Sequence, residues 1–323
     1  MSKTYYFLDA YCYPDCDFHQ EIEILKAAGY DFKLGNCRTM EDIVEFAKDA
    51  EVIGDVYLPI TEELLQQLPN LKGVIRYGIG YDCVDVEACT RHNVWCCNLP
   101  TYCLEDVASI TVGFILDLTR KLTFFDRSCR RGEWNVAYGY PPHRIGYYTI
   151  GLVGFGNIAR NTYNMLKAIG ANVIAYDPYL PDERFEEFGC RRVDFDTLLA
   201  ESDIVSIHVP ATPETHHLFN DETFAKMKDG AMLVNTARGP IVSEEALVKA
   251  CQSGKLSAAA LDVVEKEPIT DVNHRLYQCD NIIVTPHVAY NTIEASDAQH
   301  IQASETAVTI LNGETPFNRV NLR

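Results

Sequence analysis

Thr149-Ile-Gly-Leu-Val-Gly-Phe-Gly-Asn-Ile-Ala-Arg160, followed by Val173-Ile-Ala-Tyr-Asp177, reads as strand, glycine turn, helix, second strand and terminal acid. Ile150 to Val153 supply a short apolar strand. Gly154 and Gly156 let the chain turn tightly and bring its backbone close to a pyrophosphate, and Asn157 and Ile158 open a helix whose unpaired N–H groups favour an anion. Ala159 takes the third position of the motif, where only close helix–strand packing is needed. Asp177 ends the next strand about twenty residues beyond Gly156, where a carboxylate accepts hydrogen bonds from a ribose. Its charge repels a 2′-phosphate, so the pattern favours NAD over NADP. The bland alternative is a glycine-rich turn in another doubly wound protein, with Asp177 capping a strand end.

The 323 residues suggest about two domains, and a 47% hydrophobic content suffices for two cores. A net charge of −18 argues against nucleic acid or an anionic membrane as partner. An anionic substrate would therefore need local positive groups. Met1 to Ala10 has too short an apolar run for a signal peptide and reads as a first strand, and no stretch reaches the length of a membrane span. The expected location is the cytoplasm. The twelve cysteines contain no Cys-x-x-Cys pair, which points to free thiols. Cys12, Cys16 and His19 sketch a metal site that no second pair completes, so no metal is expected.

Upstream of the glycine turn, strands are expected at Tyr5–Leu8, Val52–Val56, Gly73–Tyr77 and Val94–Cys97, and helices at Phe18–Ala28, Met40–Ala47 and Ile60–Leu68. A long apolar helix, Leu104–Leu122, is expected to cross from this unit to the next. After Asp177, strands are expected near Ile204–His208, Ala231–Asn235, Ala258–Asp262 and Ile282–Thr285. A helix at Ser243–Ser253 closes at Gly254, and a last one, Ile293–Leu311, ends at Gly313. The class is α/β with two doubly wound domains, the glycine motif lying in the second.

Three stretches place reactive side chains at strand ends, where open α/β sheets bind ligands. Val234-Asn-Thr-Ala-Arg-Gly-Pro240 presents Arg238, whose planar fork suits a carboxylate and an adjacent carbonyl. Leu261-Asp-Val-Val-Glu-Lys-Glu-Pro268 offers Asp262 and then Glu265 or Glu267. Val284-Thr-Pro-His-Val-Ala289 offers His287, a natural general acid when a carboxylate fixes its far nitrogen. Each residue alone has an ordinary structural reading; their concurrence downstream of a nucleotide motif is what carries weight.

Arg76-Tyr-Gly-Ile-Gly-Tyr-Asp82, the glycine turn, Asn235-Thr-Ala-Arg-Gly239, Ala260-Leu-Asp-Val-Val-Glu-Lys-Glu-Pro268 and Thr285-Pro-His287 together resemble the D-isomer-specific 2-hydroxyacid dehydrogenase family. The likeness spans about residues 50 to 312, and Arg76 places it nearest the C-terminal-binding-protein-like and phosphoglycerate-dehydrogenase-like branch. It implies a flavodoxin-like substrate domain, 1–100 plus 292–323, and a Rossmann NAD-binding domain, 101–291. It further implies Arg238 as substrate-gripping group, His287 as proton donor and Glu267 as its carboxylate partner. Backbone N–H groups of Tyr77, Gly78, Ile79 and Gly80 would hold the substrate carboxylate, with Arg76 adding charge. Asp262, Thr236 and Ala237 would line the nicotinamide end, and Val209 and Pro210 would flank the cofactor.

The chain also departs from the family. Ser109-Ile110 occupy positions where relatives often carry an acid and a histidine. Tyr290-Asn291 follow His287 where relatives have glycine or tryptophan, so Tyr290 either closes a substrate pocket or packs on the cofactor. Tyr57-Leu-Pro-Ile60 contains no arginine, which favours a small neutral-tailed 2-oxo acid over a phosphorylated one. The expected activity is reversible reduction of such an acid to the (R)-2-hydroxy acid with NADH. The competing reading is an NAD(H)-sensing scaffold or corepressor of the same fold. A homodimer is expected through the nucleotide domain, with Gly132-Glu-Trp134 and the Tyr138 to Pro142 segment as candidate interface pieces.

Overall fold

The computed structural model describes residues 3–135 and 142–322. In chain order the elements are β1 (Thr4–Phe7), α1 (His19–Ala27), β2 (Asp31–Leu34), α2 (Met40–Ala47), β3 (Val52–Asp55), α3 (Glu62–Gln67), β4 (Gly73–Arg76), α4 (Val86–Arg91), β5 (Trp95–Cys97), α5 (Leu104–Arg120) and α6 (Leu122–Arg130). There follow β6 (Thr149–Val153), α7 (Asn157–Ala168), β7 (Asn172–Tyr176), α8 (Asp182–Phe188), β8 (Arg191–Arg192), α9 (Phe195–Glu201), β9 (Ile204–Ile207), α10 (Asp221–Lys226), β10 (Ala231–Asn235), α11 (Glu244–Ser253), β11 (Leu256–Leu261), β12 (Ile282–Val284) and α12 (Ile293–Leu311). The chain divides into two compact units, 1–102 with 292–323, and 103–291.

The first unit holds a five-stranded parallel sheet in the order β2-β1-β3-β4-β5, the flavodoxin arrangement. Its central strands are mostly apolar and buried because helices cover both faces of a parallel sheet; every residue of β3 is buried. One side packs Ile43, Leu64, Leu65 and Ala88 against Ile53 and Val74. On the other, Leu25 of α1 and Ala303, Ala307 and Ile310 of α12 pack on Tyr5, Phe7 and Ile75.

The second unit holds a seven-stranded parallel sheet ordered β12-β11-β10-β9-β6-β7-β8. The strand order reverses between β6 and β9, the topological switch point at which doubly wound sheets bind nucleotides. Residues of α5 and α7 cover one face through Ile115, Leu118 and Leu166; Leu198, Leu199, Leu247 and Phe224 cover the other.

Three differences from the sequence reading have physical causes. The long helix expected at 104–122 stops at Arg120, because Lys121 adopts the left-handed conformation at φ 56° and the Asp117 carboxylate accepts the Thr123 N–H at 2.8 Å to start α6. Helix α5 also lies wholly within the second unit instead of leading into it from the first. Strands β2 and β8 and helix α4 were not anticipated: β2 is a mostly exposed edge strand, β8 has two arginines, and α4 is a short polar helix opened by the Asp85 side chain accepting from Ala88 N–H at 2.8 Å. Of the candidate interface pieces, Trp134 is 87% exposed, while residues 138–141 lie outside the described residues.

Candidate active site

The glycine turn forms because β6 ends at the switch point beside β9. Gly154 sits at φ 94°, and a Cβ there would lie 2.8 Å from the His208 carbonyl oxygen and 3.1 Å from Val209 Cγ1, so only glycine lets the two strand ends come together. A Cβ on Gly156 would meet nothing within 4 Å, which leaves open space in front of α7. Gly156 caps α7, and its carbonyl accepts the first intrahelical bond from Arg160 at 3.0 Å, so the amides of Asn157 and Ile158 have no acceptor within the helix. Asp177 follows β7, and its carboxylate accepts from Phe155 N–H at 2.9 Å, Tyr179 N–H at 3.0 Å and Leu180 N–H at 3.2 Å. One acid thus fixes the glycine turn and still stands half-buried at the strand end. Open space before a capped helix, free amides and a fixed carboxylate together suit a dinucleotide. Val209 and Pro210 continue from β9, and the Pro210 carbonyl is held by Thr215 Oγ1 at 2.7 Å.

Beyond β10, Asn235 shapes the turn that presents Arg238: its Oδ1 accepts from Ala237 N–H at 3.0 Å and its Nδ2 donates to the Arg238 carbonyl at 2.9 Å. Thr236 is tied by its hydroxyl to Thr111 of α5 at 2.8 Å. Gly239 is required next, since a Cβ would come within 1.8 Å of the Val264 carbonyl oxygen. That contact sets the turn after β10 against the segment that carries Glu267.

His287 Nδ1 lies 2.7 Å from Glu267 Oε2. Glu267 Oε1 accepts from Val264 N–H at 3.1 Å, which holds the carboxylate in place. Burial alone would raise the Glu267 carboxyl; the hydrogen bond from His287, its charge, the Val264 amide and the Arg238 charge outweigh it and hold the carboxyl below its ordinary value. Glu265, the alternative partner, pairs instead with His217 Nε2 at 2.9 Å and with the Glu244 N–H.

His287 occupies the left-handed region at φ 54°, a conformation that costs a non-glycine residue about 1 kcal/mol or more. Its N–H is shared between the carbonyls of Asp262 at 2.8 Å and Thr285 at 3.0 Å. The Asp262 carboxylate accepts from Thr285 Oγ1, from Val288 N–H at 2.9 Å and from Ala289 N–H at 2.8 Å. Asp262 is 1% exposed, and these three bonds tie it to the turn that presents His287. The ring of Tyr290 meets that of His287 edge-on, with centroids 6.3 Å apart.

In the first unit, Arg76 ends β4 and the Tyr77–Gly80 turn follows. The Arg76 guanidinium lies under Gly78, where a Cβ would sit 1.5 Å from Nη1, and its Nε has no hydrogen-bond partner although buried. Two of the four expected amides are already used: Tyr77 N–H donates to the Asp55 carbonyl at 2.8 Å and Gly78 N–H to the Arg76 carbonyl at 2.9 Å. The Tyr77 side chain is 1% exposed and points into the core, its hydroxyl donating to Glu21 at 3.2 Å, so it has no face for a ligand.

Residues 112–289 match the family described as D-isomer specific 2-hydroxyacid dehydrogenase, NAD binding domain. The chain belongs to this family. Among curated relatives, a glyoxylate reductase of Thermofilum pendens is 39% identical over 81% of this chain and 78% of its own length. A D-3-phosphoglycerate dehydrogenase of Archaeoglobus fulgidus is 36% identical over 94% of this chain, which spans 57% of that longer protein. Among solved structures, D-lactate dehydrogenase from Aquifex aeolicus, complexed with NAD and lactic acid, superposes with a TM-score of 0.88 at 31% identity, covering 98% of this chain and 99% of the other. A D-isomer 2-hydroxyacid dehydrogenase with a family NAD-binding domain is thus an NAD-dependent oxidoreductase acting on 2-hydroxy or 2-oxo acids. Among the described residues no group of three or more His, Cys, Asp or Glu is placed to hold a metal ion, and no helix is long and apolar enough to cross a membrane.

Sequence reasoning did not single out Asn235 or Thr285 as supports of the site. Both act through hydrogen bonds to neighbouring turns. Only their positions beside Arg238 and His287 could have signalled them.

Proposed function

We propose that this dehydrogenase reversibly reduces a small, neutral-tailed 2-oxo acid to the (R)-2-hydroxy acid, with His287 as proton donor, Glu267 as its partner and Arg238 as the group that grips the substrate. The observation that carries the reading is the 2.7 Å contact between His287 Nδ1 and Glu267 Oε2. With Nδ1–H donating to the carboxylate, Nε2 is the nitrogen left to protonate a substrate oxygen, and the carboxylate stabilises the imidazolium. NADH, when bound by the glycine turn and Asp177, supplies the hydride taken up at C2. Arg238 orients the carboxylate and the carbonyl to be reduced and stabilises developing negative charge on oxygen. Ile79 and Gly80 amides with Arg76 bind the substrate carboxylate, which answers the need for positive groups in an acidic chain. The lack of arginine in Tyr57-Leu-Pro-Ile60 supports a neutral tail, and the (R) configuration rests on family resemblance. Two copies of the chain pair through the nucleotide domain; the 87% exposure of Trp134 supports this, and sedimentation with Trp134→Ala tests it.

The test is a panel of 2-oxo acids, including glyoxylate, pyruvate, hydroxypyruvate, 2-oxoisocaproate, phenylpyruvate and 3-phosphohydroxypyruvate, followed by NADH absorbance with wild type and His287→Ala. Turnover is expected for a neutral-tailed member, with His287→Ala lowering kcat by about a thousandfold while NADH affinity stays unchanged. Equal turnover by the variant overturns the role of His287. Tight NADH binding without turnover of any member favours the scaffold reading.

A further inference from the structure

Every carbonyl of the Tyr77–Ile79 turn is held by a donor from the first unit itself. The Tyr77 carbonyl accepts from Gln299 Nε2 at 3.2 Å, the Gly78 carbonyl from Leu99 N–H at 2.9 Å, and the Ile79 carbonyl from Asn98 Nδ2 at 2.7 Å. A trans peptide is planar, with its C=O and N–H pointing in opposite directions. Fixing the Gly78 carbonyl therefore aims the Ile79 N–H, and fixing the Ile79 carbonyl aims the Gly80 N–H. These are the two amides the turn has not already spent, and both are directed away from the donors that hold it.

The holding groups are themselves held. Gln299, on α12 and 2% exposed, has its amide oriented by Tyr13, whose hydroxyl donates to Oε1 at 2.8 Å and so leaves Nε2 facing Tyr77. Asn98 is clamped by Asn318, which donates from Nδ2 to the Asn98 carbonyl at 2.6 Å and accepts the Asn98 N–H on its own carbonyl at 3.3 Å. Asn318 is buried and further tied to Thr306 of α12 at 3.0 Å. The return of the chain through α12 and its following segment thus sets Gln299 against the turn and Asn318 against Asn98. Structural packing alone would be served by apolar residues at these positions; buried amides on the first and last of three successive peptides, with the Leu99 N–H on the middle one, fix the direction of the N–H groups.

We propose that Asn98 is the positioning residue of the substrate-carboxylate subsite: its side chain, on the Ile79 carbonyl, aims the Gly80 amide, and its clamped carbonyl sets the Leu99 N–H that holds the Gly78 carbonyl and so aims the Ile79 amide, while Gln299 fixes the Tyr77 peptide from which the turn starts. This rests on the reading that the turn binds the substrate carboxylate. Preorganised amides accept an anion without first giving up a competing backbone arrangement, so loosening the turn weakens carboxylate binding and leaves the chemical step intact.

The test compares Asn98→Ala, Gln299→Met and the milder Tyr13→Phe with wild type in steady-state kinetics on the best 2-oxo acid, with Arg76→Met as the probe of the underlying reading. Asn98→Ala is expected to raise the KM for the 2-oxo acid about tenfold and Gln299→Met to raise it by a smaller factor, with kcat and the KM for NADH unchanged within about twofold. Tyr13→Phe, which removes a single hydroxyl and keeps the fold, moves the same KM in the same direction by a smaller factor. A matched fall in kcat and NADH affinity marks general loosening of the fold and overturns the assignment. A raised KM in Arg76→Met with unchanged KM in the other three overturns the inference and leaves the carboxylate reading standing. Unchanged KM in all four removes the reading itself.

Discussion

Replacing Asp262 with asparagine tests how the fold presents His287, and the structure sets the size of the effect. Oδ1 accepts from Thr285 Oγ1 and from Val288 N–H at 2.9 Å, and Oδ2 accepts from Ala289 N–H at 2.8 Å, in a site 1% exposed. The side-chain amide introduced by Asp262→Asn keeps one oxygen for the first two donors and turns an NH2 toward the third. The Ala289 N–H is then a buried donor without an acceptor, costing about 1–3 kcal/mol, while the other two bonds lose their charge assistance at about 1 kcal/mol each. The sum is roughly 3–5 kcal/mol. In a unit of this size that lowers the unfolding temperature by roughly 10 °C. The left-handed backbone at His287 depends on the same turn, so the imidazole shifts, and a displacement of about 1 Å lowers kcat about a hundredfold. Differential scanning calorimetry and NADH-coupled turnover measure the two effects. An unfolding temperature within about 2 °C of wild type together with unchanged kcat would refute the argument that Asp262 works by holding this turn. Thr285→Val, which removes one of the three donors, is expected to show the same changes at about a third of the size.

Asp177→Asn preserves an acceptor for the Phe155 N–H but removes the charge that repels a 2′-phosphate; the ratio of kcat/KM with NADPH to that with NADH is expected to rise about tenfold, and an unchanged ratio would show that Asp177 does not set the preference. Gly239→Ala places a Cβ 1.8 Å from the Val264 carbonyl oxygen, so a loss of about 3 kcal/mol in denaturant unfolding is expected, and wild-type stability would mean that the turn yields freely. Burial, then the charge of Asp9, push the buried Asp55 carboxyl up to about 8 against the pull of Arg76. The folded state therefore holds this proton more tightly than the unfolded chain, and stability falls as pH rises from the ordinary carboxylate range through about 8. Asp55→Asn is expected to gain stability relative to wild type from pH 5 to pH 8, read from urea midpoints at the two values; a constant difference would remove the linkage.

The sequence by itself determined the second unit closely, because its signals are local. Gly154, Gly156 and Asp177 lie along one strand–turn–helix–strand, and the apolar run at Ala231–Asn235 matches β10 residue for residue, as does Ile293–Leu311 with α12 of the first unit. Arg238 and His287 were candidates for the same reason: each follows an apolar run where a parallel sheet presents its ligand-facing residues, whereas Glu267 was singled out only through the family resemblance. Elements whose signals are polar or brief, β2, β8 and α4, were not legible, since edge exposure and a two-residue strand leave no hydrophobic period. Apart from the resemblance, only tertiary structure distinguishes the acid that meets His287, since Glu265 and Glu267 are equivalent on paper until the segment after β11 packs against Gly239 and Glu265 pairs with His217. It alone decided that Asp262 faces inward, that Tyr77 belongs to the core, and that the Tyr77 and Gly78 amides are spent on backbone carbonyls. These outcomes depend on hydrogen bonds between residues far apart in the chain, such as Gln299 to Tyr77 and Asn318 to Asn98. A buried donor takes whichever acceptor packing brings within reach, and that partner is fixed only when the chain has folded.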